Sequence, residues 1–172
     1  MERAIRKPLQ VSLGLRIARS ISNRRAAARR DLCVLKEGQS MLRISSPLNA
    51  TEESLITRAM DCAFAVHREL GPGFRELIYQ RAYCLELESC GVRFECEKSI
   101  EVRYKAWSIP GQKVDLLLEG LLVVEIKAVP ELLEVHERQV RSYLKTMKTR
   151  AGLLVNFNVT LLKDGIRRIV YT

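Results

Sequence analysis

From Asn49 onward the apolar positions keep a regular rhythm. Leu55, Ala59, Cys62, Ala63, Val66 and Leu70 recur at helical spacing. Asn49 or Thr51 is placed to cap this helix, and Glu52 and Glu53 fall in its first turn, where the helix dipole favours acids. Gly71-Pro72-Gly73 ends it. A second helix is predicted from Glu76 to Cys90, stopping at Gly91. Val92, Phe94 and Cys96 alternate with polar residues, as do Ile100, Val102 and Tyr104, which predicts one long strand or two short ones. Pro110-Gly111 reads as the turn into a hairpin, Pro130 as the opening of a helix from Glu131 to Met147, and Gly152 to Asn156 as a short apolar strand. Asp164-Gly165 reads as a hairpin turn between Leu161-Leu162 and a strand from Ile166 to Val170. The order is helix, helix, strands, helix, strand, terminal hairpin, which predicts an α/β fold with helices packed on a mixed sheet.

The run Val114 to Val129 predicts two strands, apolar on both faces, joined by a tight turn near Glu119-Gly120. Asp115, Glu125 and Lys127 lie inside it. Burying a charged group in such a strand costs about several kcal/mol unless it is paired or bound to a metal. Glu125 and Lys127 share a face because they are two apart. Asp115 joins that face only if paired positions sum to an even number. A two-residue loop at Glu119-Gly120 would put it on the opposite face, whereas a three-residue loop Leu118-Glu119-Gly120, with Gly120 left-handed, would bring it over. Two readings stand on these residues alone: a salt bridge between Lys127 and one carboxylate, or a divalent-cation site with a lysine beside it.

The 172 residues suffice for one ordinary domain, and no apolar run reaches the roughly 18 residues that cross a bilayer. The net charge of +9 is unevenly spread. Residues 1–48 carry 11 Lys or Arg against 3 Asp or Glu, leaving a near balance of 18 and 17 in residues 49–172. Bulk charge is therefore a poor argument for nucleic-acid binding by the folded part. The N-terminal segment, with Arg16, Arg19, Arg24, Arg25, Arg29 and Arg30 among Ala, Ser and Leu, reads as a disordered basic arm, an organelle-targeting segment, or a non-native extension with Met41 as the working start. Cys33, Cys62, Cys84, Cys90 and Cys96 form no CxxC pair. That spacing argues against a zinc or iron–sulfur site, and the odd number of cysteines, with no secretory signal in the sequence, predicts a reducing, cytoplasmic setting.

Gln139 and Tyr143 are four apart on the helix that follows the Glu125-Ile126-Lys127 strand, so they share a face that can sit over the carboxylates. An Asp, about ten residues, Glu-x-Lys, then a helix with Gln-x-x-x-Tyr resembles the RecB-like branch of the PD-(D/E)xK nuclease superfamily. Gly73-Phe74-Arg75-Glu76-Leu77-Ile78-Tyr79 reads Gly-x-x-Glu-x-x-Tyr, preceded by Val66 to Pro72 and followed by Leu153-Leu154-Val155-Asn156-Phe157 and Leu161 to Ile166. Together these resemble the small bacterial GxxExxY family, grouped with the same nucleases, over about residues 52–170. Two features depart from its pattern: Asn158 stands where members usually have Gly, and residues 1–48 have no counterpart.

The resemblance implies a restriction-endonuclease-like αβββαβ core and a metal-dependent hydrolase of nucleic-acid phosphodiesters, DNA ahead of RNA, with homo-oligomerisation left open. It implies Asp115 and Glu125 as ligands of Mg²⁺ or Mn²⁺, with the Ile126 carbonyl and Glu76 as further metal positions. It implies Lys127 as the group that orients the attacking water and steadies transition-state charge, and Gln139 and Tyr143 as accessory polar groups. A different class of function stays open beside it: a catalytically silent nuclease-fold module that binds nucleic acid or protein. Glu76 also reads as a plain first-turn acid. His67 reads as a metal ligand or as a hydrogen-bonded structural group, and His136 as a surface residue. Tyr79 reads as a packing residue, and Tyr104 and Trp107 as base-stacking or packing groups.

Overall fold

The computed structural model describes residues 46–172. The basic arm read from the sequence lies, up to residue 45, outside the described residues. Leu48, assigned by composition to that segment, is buried in the core, and Arg168 donates to the Ser46 hydroxyl at 2.8 Å.

Helix α1 spans Ala50–Leu70 and α2 spans Glu76–Ser89. Asn49 caps α1: its side chain accepts from Glu52 N at 2.9 Å, and the Glu52 carboxylate accepts from Asn49 N at 2.8 Å. This reciprocal pair satisfies two orphan donors and explains why Glu52 is buried. Strands β1 (Phe94–Tyr104), β2 (Trp107–Leu118), β3 (Leu122–Lys127), β4 (Ala151–Asn156) and β5 (Ile166–Val170) form one sheet in chain order. All neighbours are antiparallel except β3 and β4, which are parallel and joined by α3, Glu134–Met147. No helix among the described residues is long and apolar enough to cross a membrane.

The sheet carries a core on each face. Leu116, Leu118, Leu122, Val124, Ile126, Leu153 and Val155 pack with α1 and α2 through Leu55, Ile56, Ala59, Ala63, Val66, Tyr79, Tyr83 and Leu87. Leu117, Val123, Leu154 and Ile169 pack under Val140, Tyr143 and Leu144 of α3. Burying each of the leucine, isoleucine and valine side chains contributes roughly 1.5–3 kcal/mol. A Cβ on Gly152 would meet Val140 Cγ1 at 2.7 Å, so α3 lies directly against the β4 backbone.

Three element assignments differ from the sequence expectation. Pro110-Gly111 is not a turn but lies inside β2, where both residues oppose Glu101 in a bulge between the pairs Ile100↔Gln112 and Val102↔Ile109. Pro is tolerated there because β3 pairs only with Leu116 to Leu118, leaving this stretch of β2 with an open edge. The turn is Lys105-Ala106, with Lys105 at φ 55°. Helix α3 starts at Glu134, not Glu131, since residues 128–133 carry the chain from the end of β3 onto the other face. Asp164-Gly165 ends a 3-10 turn, Leu162–Gly165, and the strand after it pairs with β4, not with Leu161-Leu162.

Candidate metal and nuclease site

The β2–β3 register places the charges. Leu116↔Val124, Leu117↔Val123 and Leu118↔Leu122 sum to an even number, and one further step sets Asp115 opposite Glu125. The three-residue loop is Glu119-Gly120-Leu121, one position later than expected but of the same parity. Leu121 N donates to Leu118 O at 2.9 Å, and both Glu119 (φ 51°) and Gly120 (φ 70°) are left-handed. Glu125 and Lys127 alternate with Val123 toward α3.

Lys127 Nζ donates to Glu125 Oε1 at 2.5 Å, and the Glu125 side chain is 3% exposed. Asp115 Oδ2 accepts from Ile126 N at 2.7 Å. Glu125 Oε2 is buried with no hydrogen-bond partner. Burial, then the Asp115 charge, pushes Glu125 up to about 7 despite Lys127. Burial also raises Asp115, against the opposing pull of the Ile126 amide and Lys127. Burial works against the Lys127 charge, but Glu125, Glu76 and Asp115 outweigh it and hold the ammonium above its ordinary range. Both carboxylates thus resist ionising together although Lys127 is present, and in the absence of a cation a proton on Glu125 lets it hydrogen-bond to Asp115.

Glu76 opens α2 and is solvent-exposed, as the plain reading of a first-turn acid has it. Its carboxylate nevertheless lies close enough to Lys127, Asp115, the Ala128 amide and His136 to feel each of them, and desolvation raises its pKa. The Tyr79 hydroxyl donates to Gly71 O at 2.7 Å and accepts from Phe74 N at 3.1 Å, while its ring stacks on Phe157 at 4.8 Å. Gly73, at φ 107°, takes a conformation other residues rarely adopt. In Gly-x-x-Glu-x-x-Tyr, then, Gly and Tyr shape the loop that delivers Glu76 to the end of the sheet.

On α3, Gln139 Nε2 donates to the Tyr143 hydroxyl at 2.5 Å. Tyr143 is buried, with its pKa raised first by burial and then by Glu125. Gln139 and Tyr143 therefore share the carboxylate side of the sheet. His136 is half-buried and accepts from Leu133 N through Nδ1 at 3.1 Å, capping α3. His67 Nε2 lies 2.7 Å from Val159 O, so it ties α1 to the segment after β4 and is the structural histidine of the two readings. Trp107 and Tyr104 are exposed and pack against no core. Cys62, Cys84, Cys90 and Cys96 are free thiols, with the sulfurs of Cys84 and Cys96 3.1 Å apart.

Three residues near the site were given no role in it by the sequence. Gln112 donates to the Tyr143 hydroxyl at 2.9 Å. Glu97 flanks Asp115 on β1 at φ 47°, and its charge reaches Asp115. Only the β1–β2 register, Cys96↔Leu116 and Lys98↔Val114, brings it there. Asn156 is fully buried beside Lys127; its side chain accepts from Val129 N at 3.1 Å and donates to Val129 O at 2.8 Å. An Asn closing an apolar strand was the available signal for it.

No three carboxylate, imidazole or thiolate groups converge on one point among the described residues. A cation here would draw on two carboxylates, backbone oxygen and water, a hard-oxygen set suited to Mg²⁺ or Mn²⁺. The unpartnered Glu125 Oε2 opposite Asp115 fits that demand.

A mixed sheet with a helix crossover, an Asp and a Glu-x-Lys on adjacent central strands, and a polar helix face above them define a nuclease-like α/β domain. The family model of the PD-(D/E)XK nuclease superfamily matches residues 53–169, and the chain belongs to that superfamily. A solved structure described as "Crystal structure of SSO0001" is similar at 18% identity over 90% of this chain and 77% of that chain, with a TM-score of 0.37. No curated protein matches the chain.

Proposed function

We propose that the protein hydrolyses nucleic-acid phosphodiesters, DNA ahead of RNA, with Mg²⁺ or Mn²⁺, and that it is of the GxxExxY kind within the RecB-like branch. One observation carries the metal reading: Glu125 Oε2 is buried without a partner opposite a second carboxylate whose ionisation is also disfavoured. Leaving a buried carboxylate oxygen unpaired is costly, and a bound cation removes that cost. Asp115 and Glu125 would hold the ion, with the Ile126 carbonyl as a backbone ligand and Glu76 at the margin. Such an ion supplies Lewis acidity and a nucleophilic water at neutral pH.

The chain's own groups do the rest. Lys127 keeps its proton at neutral pH and faces the carboxylates, so it orients the water and steadies negative charge building on the phosphoryl oxygens. The water oxygen bonds to phosphorus as the bond to the 3′-oxygen breaks, and a proton ends on that oxygen. Gln139, Tyr143 and Gln112 form one hydrogen-bonded group on the α3 side that orients Lys127 or a phosphate. The alternative is a catalytically silent binding module, favoured by the Lys127–Glu125 ion pair, which already satisfies one carboxylate oxygen. Incubation with labelled single- and double-stranded DNA and RNA plus Mg²⁺ or Mn²⁺ separates the two. Cleavage that disappears in Lys127→Ala supports hydrolysis. Binding without cleavage under every metal tested supports the module.

A further inference from the structure

We propose that the β1–β2 hairpin is a grip for single-stranded nucleic acid, with Tyr104 and Trp107 stacking on bases and Lys105, in the turn beside Tyr104, meeting phosphates, while Arg103, paired with Ser108, adds its charge from the opposite face. The register Val102↔Ile109 and Tyr104↔Trp107 puts Val102, Tyr104, Trp107 and Ile109 on one face of the hairpin, since directly paired residues, and residues two apart, share a face. They are 39%, 49%, 57% and 73% exposed for Val102, Ile109, Tyr104 and Trp107. Single exposed apolar residues are ordinary, but four contiguous ones on a projecting ribbon are not. β3 pairs only with Leu116 to Leu118, so it does not extend alongside this part of β2.

Charge selects the occupant. Between residues 98 and 113 stand Lys98, Arg103, Lys105 and Lys113 against Glu101 alone. Lys98 and Lys113 pair with Glu95 and Glu97. Arg103 and Lys105 form no ion pair among the described residues, and Lys105 Nζ sits 5.4 Å from the Tyr104 ring centroid. A second copy docked face to face would bring two such cationic tips together, which is unfavourable. A phosphate chain with open base faces matches both features, because aromatic stacking plus flanking cations is how unpaired strands are held irrespective of sequence. A duplex hides its base faces and does not offer this match. The hairpin is also a continuation of the strand that carries Asp115. Trp107 precedes Asp115 by eight residues along β2, a reach of up to roughly 25 Å at strand rise. At the stacked spacing of about 3.4 Å this is on the order of seven nucleotides. The link to cleavage rests on the nuclease reading; the binding itself does not.

Trp107 is the sole tryptophan of the chain, so its emission reports on this face alone. The full chain is titrated in EDTA with an oligothymidylate of about twelve nucleotides and, separately, with a duplex. Saturable quenching by the single strand, weaker for the duplex, is expected. In Tyr104→Ser the affinity read from the same signal should fall about tenfold. In Lys105→Ser it should fall and lose part of its salt dependence. Binding seen by anisotropy of a labelled strand with no change in Trp107 emission would overturn the proposal, by placing the strand elsewhere. An emission that shifts blue with protein concentration alone, with a doubled mass in light scattering, would also overturn it in favour of a second copy. Cleavage without quenching would sink the hairpin and leave the nuclease reading standing, while quenching without cleavage under any metal would do the reverse.

Discussion

Lys127 donates to one oxygen of Glu125 at 2.5 Å and leaves the other oxygen of the same carboxylate buried without a partner. The lysine therefore half-satisfies its neighbour. With Asp115 opposite, the two carboxylates ionise together only at a cost that one ammonium does not remove.

A divalent ion should supply what is missing. Millimolar-range Mg²⁺ or Mn²⁺ is expected to raise the melting temperature, as any ligand specific to the folded state does. Asp115→Asn should abolish that rise. Without metal the same substitution should be neutral or stabilising, because it removes one of two like charges and leaves an acceptor for Ile126 N. Differential scanning fluorimetry of both proteins with and without metal checks this.

The metal-free protein should also lose stability as pH rises. Glu125 stands at about 7 in the folded state against 4.5 for an unperturbed glutamate. The folded state therefore binds more protons than the unfolded state between those values. The stabilisation is fully present below about 4.5 and is lost as pH climbs through about 7, and Asp115 is shifted in the same direction. In EDTA the melting temperature near pH 5.5 should exceed that near pH 8 by roughly several degrees. Glu125→Gln should flatten the difference, and a profile that rises from pH 5.5 to 8 would count against the assigned burial.

The sequence put Glu125 and Lys127 on one face and made Asp115 join them only through an odd loop; it did not set the step of that loop. A site shared by Asp115 and Glu125 demands even parity, and both a Leu118–Gly120 loop and the observed Glu119-Gly120-Leu121 loop satisfy it. The choice falls to the Leu118↔Leu122 pair, which buries two more leucines in the α1–α2 core. Pro110-Gly111 carries the local chemistry of a turn, yet an unpaired edge lets it serve as a bulge, and edges are a tertiary property. Glu97 was not legible because its neighbourhood with Asp115 exists only across strands. Gln139 and Tyr143 were legible because four-residue spacing on one helix is local.

Tyr143 accepts from both Gln139 and Gln112, which leaves its own hydroxyl proton to point elsewhere on the carboxylate side. Tyr143→Phe removes the shared acceptor and should lower kcat by about tenfold or more, with roughly 1 kcal/mol lost in stability. Urea titration beside steady-state cleavage separates the two effects. Equal losses in proportion to unfolding would make Tyr143 a packing residue only.

Asn156 fixes the chain after Lys127. Its amide bonds to both polar groups of Val129, and Phe157 N donates to Lys127 O at 2.9 Å. Asn156→Ala leaves both part-buried backbone groups of Val129 without this partner and should cost about 1–2 kcal/mol. Hydrogen exchange of the Val129 amide should accelerate in the variant before the rest of the sheet. An unchanged Val129 exchange rate would contradict this role.

The most direct test of the account pairs two readouts on Lys127→Ala. Its role is assigned to the transition state and not to holding the ion. The variant should keep the metal-induced rise in melting temperature seen in the wild type and lose phosphodiester cleavage by about a hundredfold or more. A wild-type protein whose melting curve ignores Mg²⁺ and Mn²⁺ and which cleaves no nucleic acid offered would contradict it. So would a lysine variant that cleaves as well as the wild type.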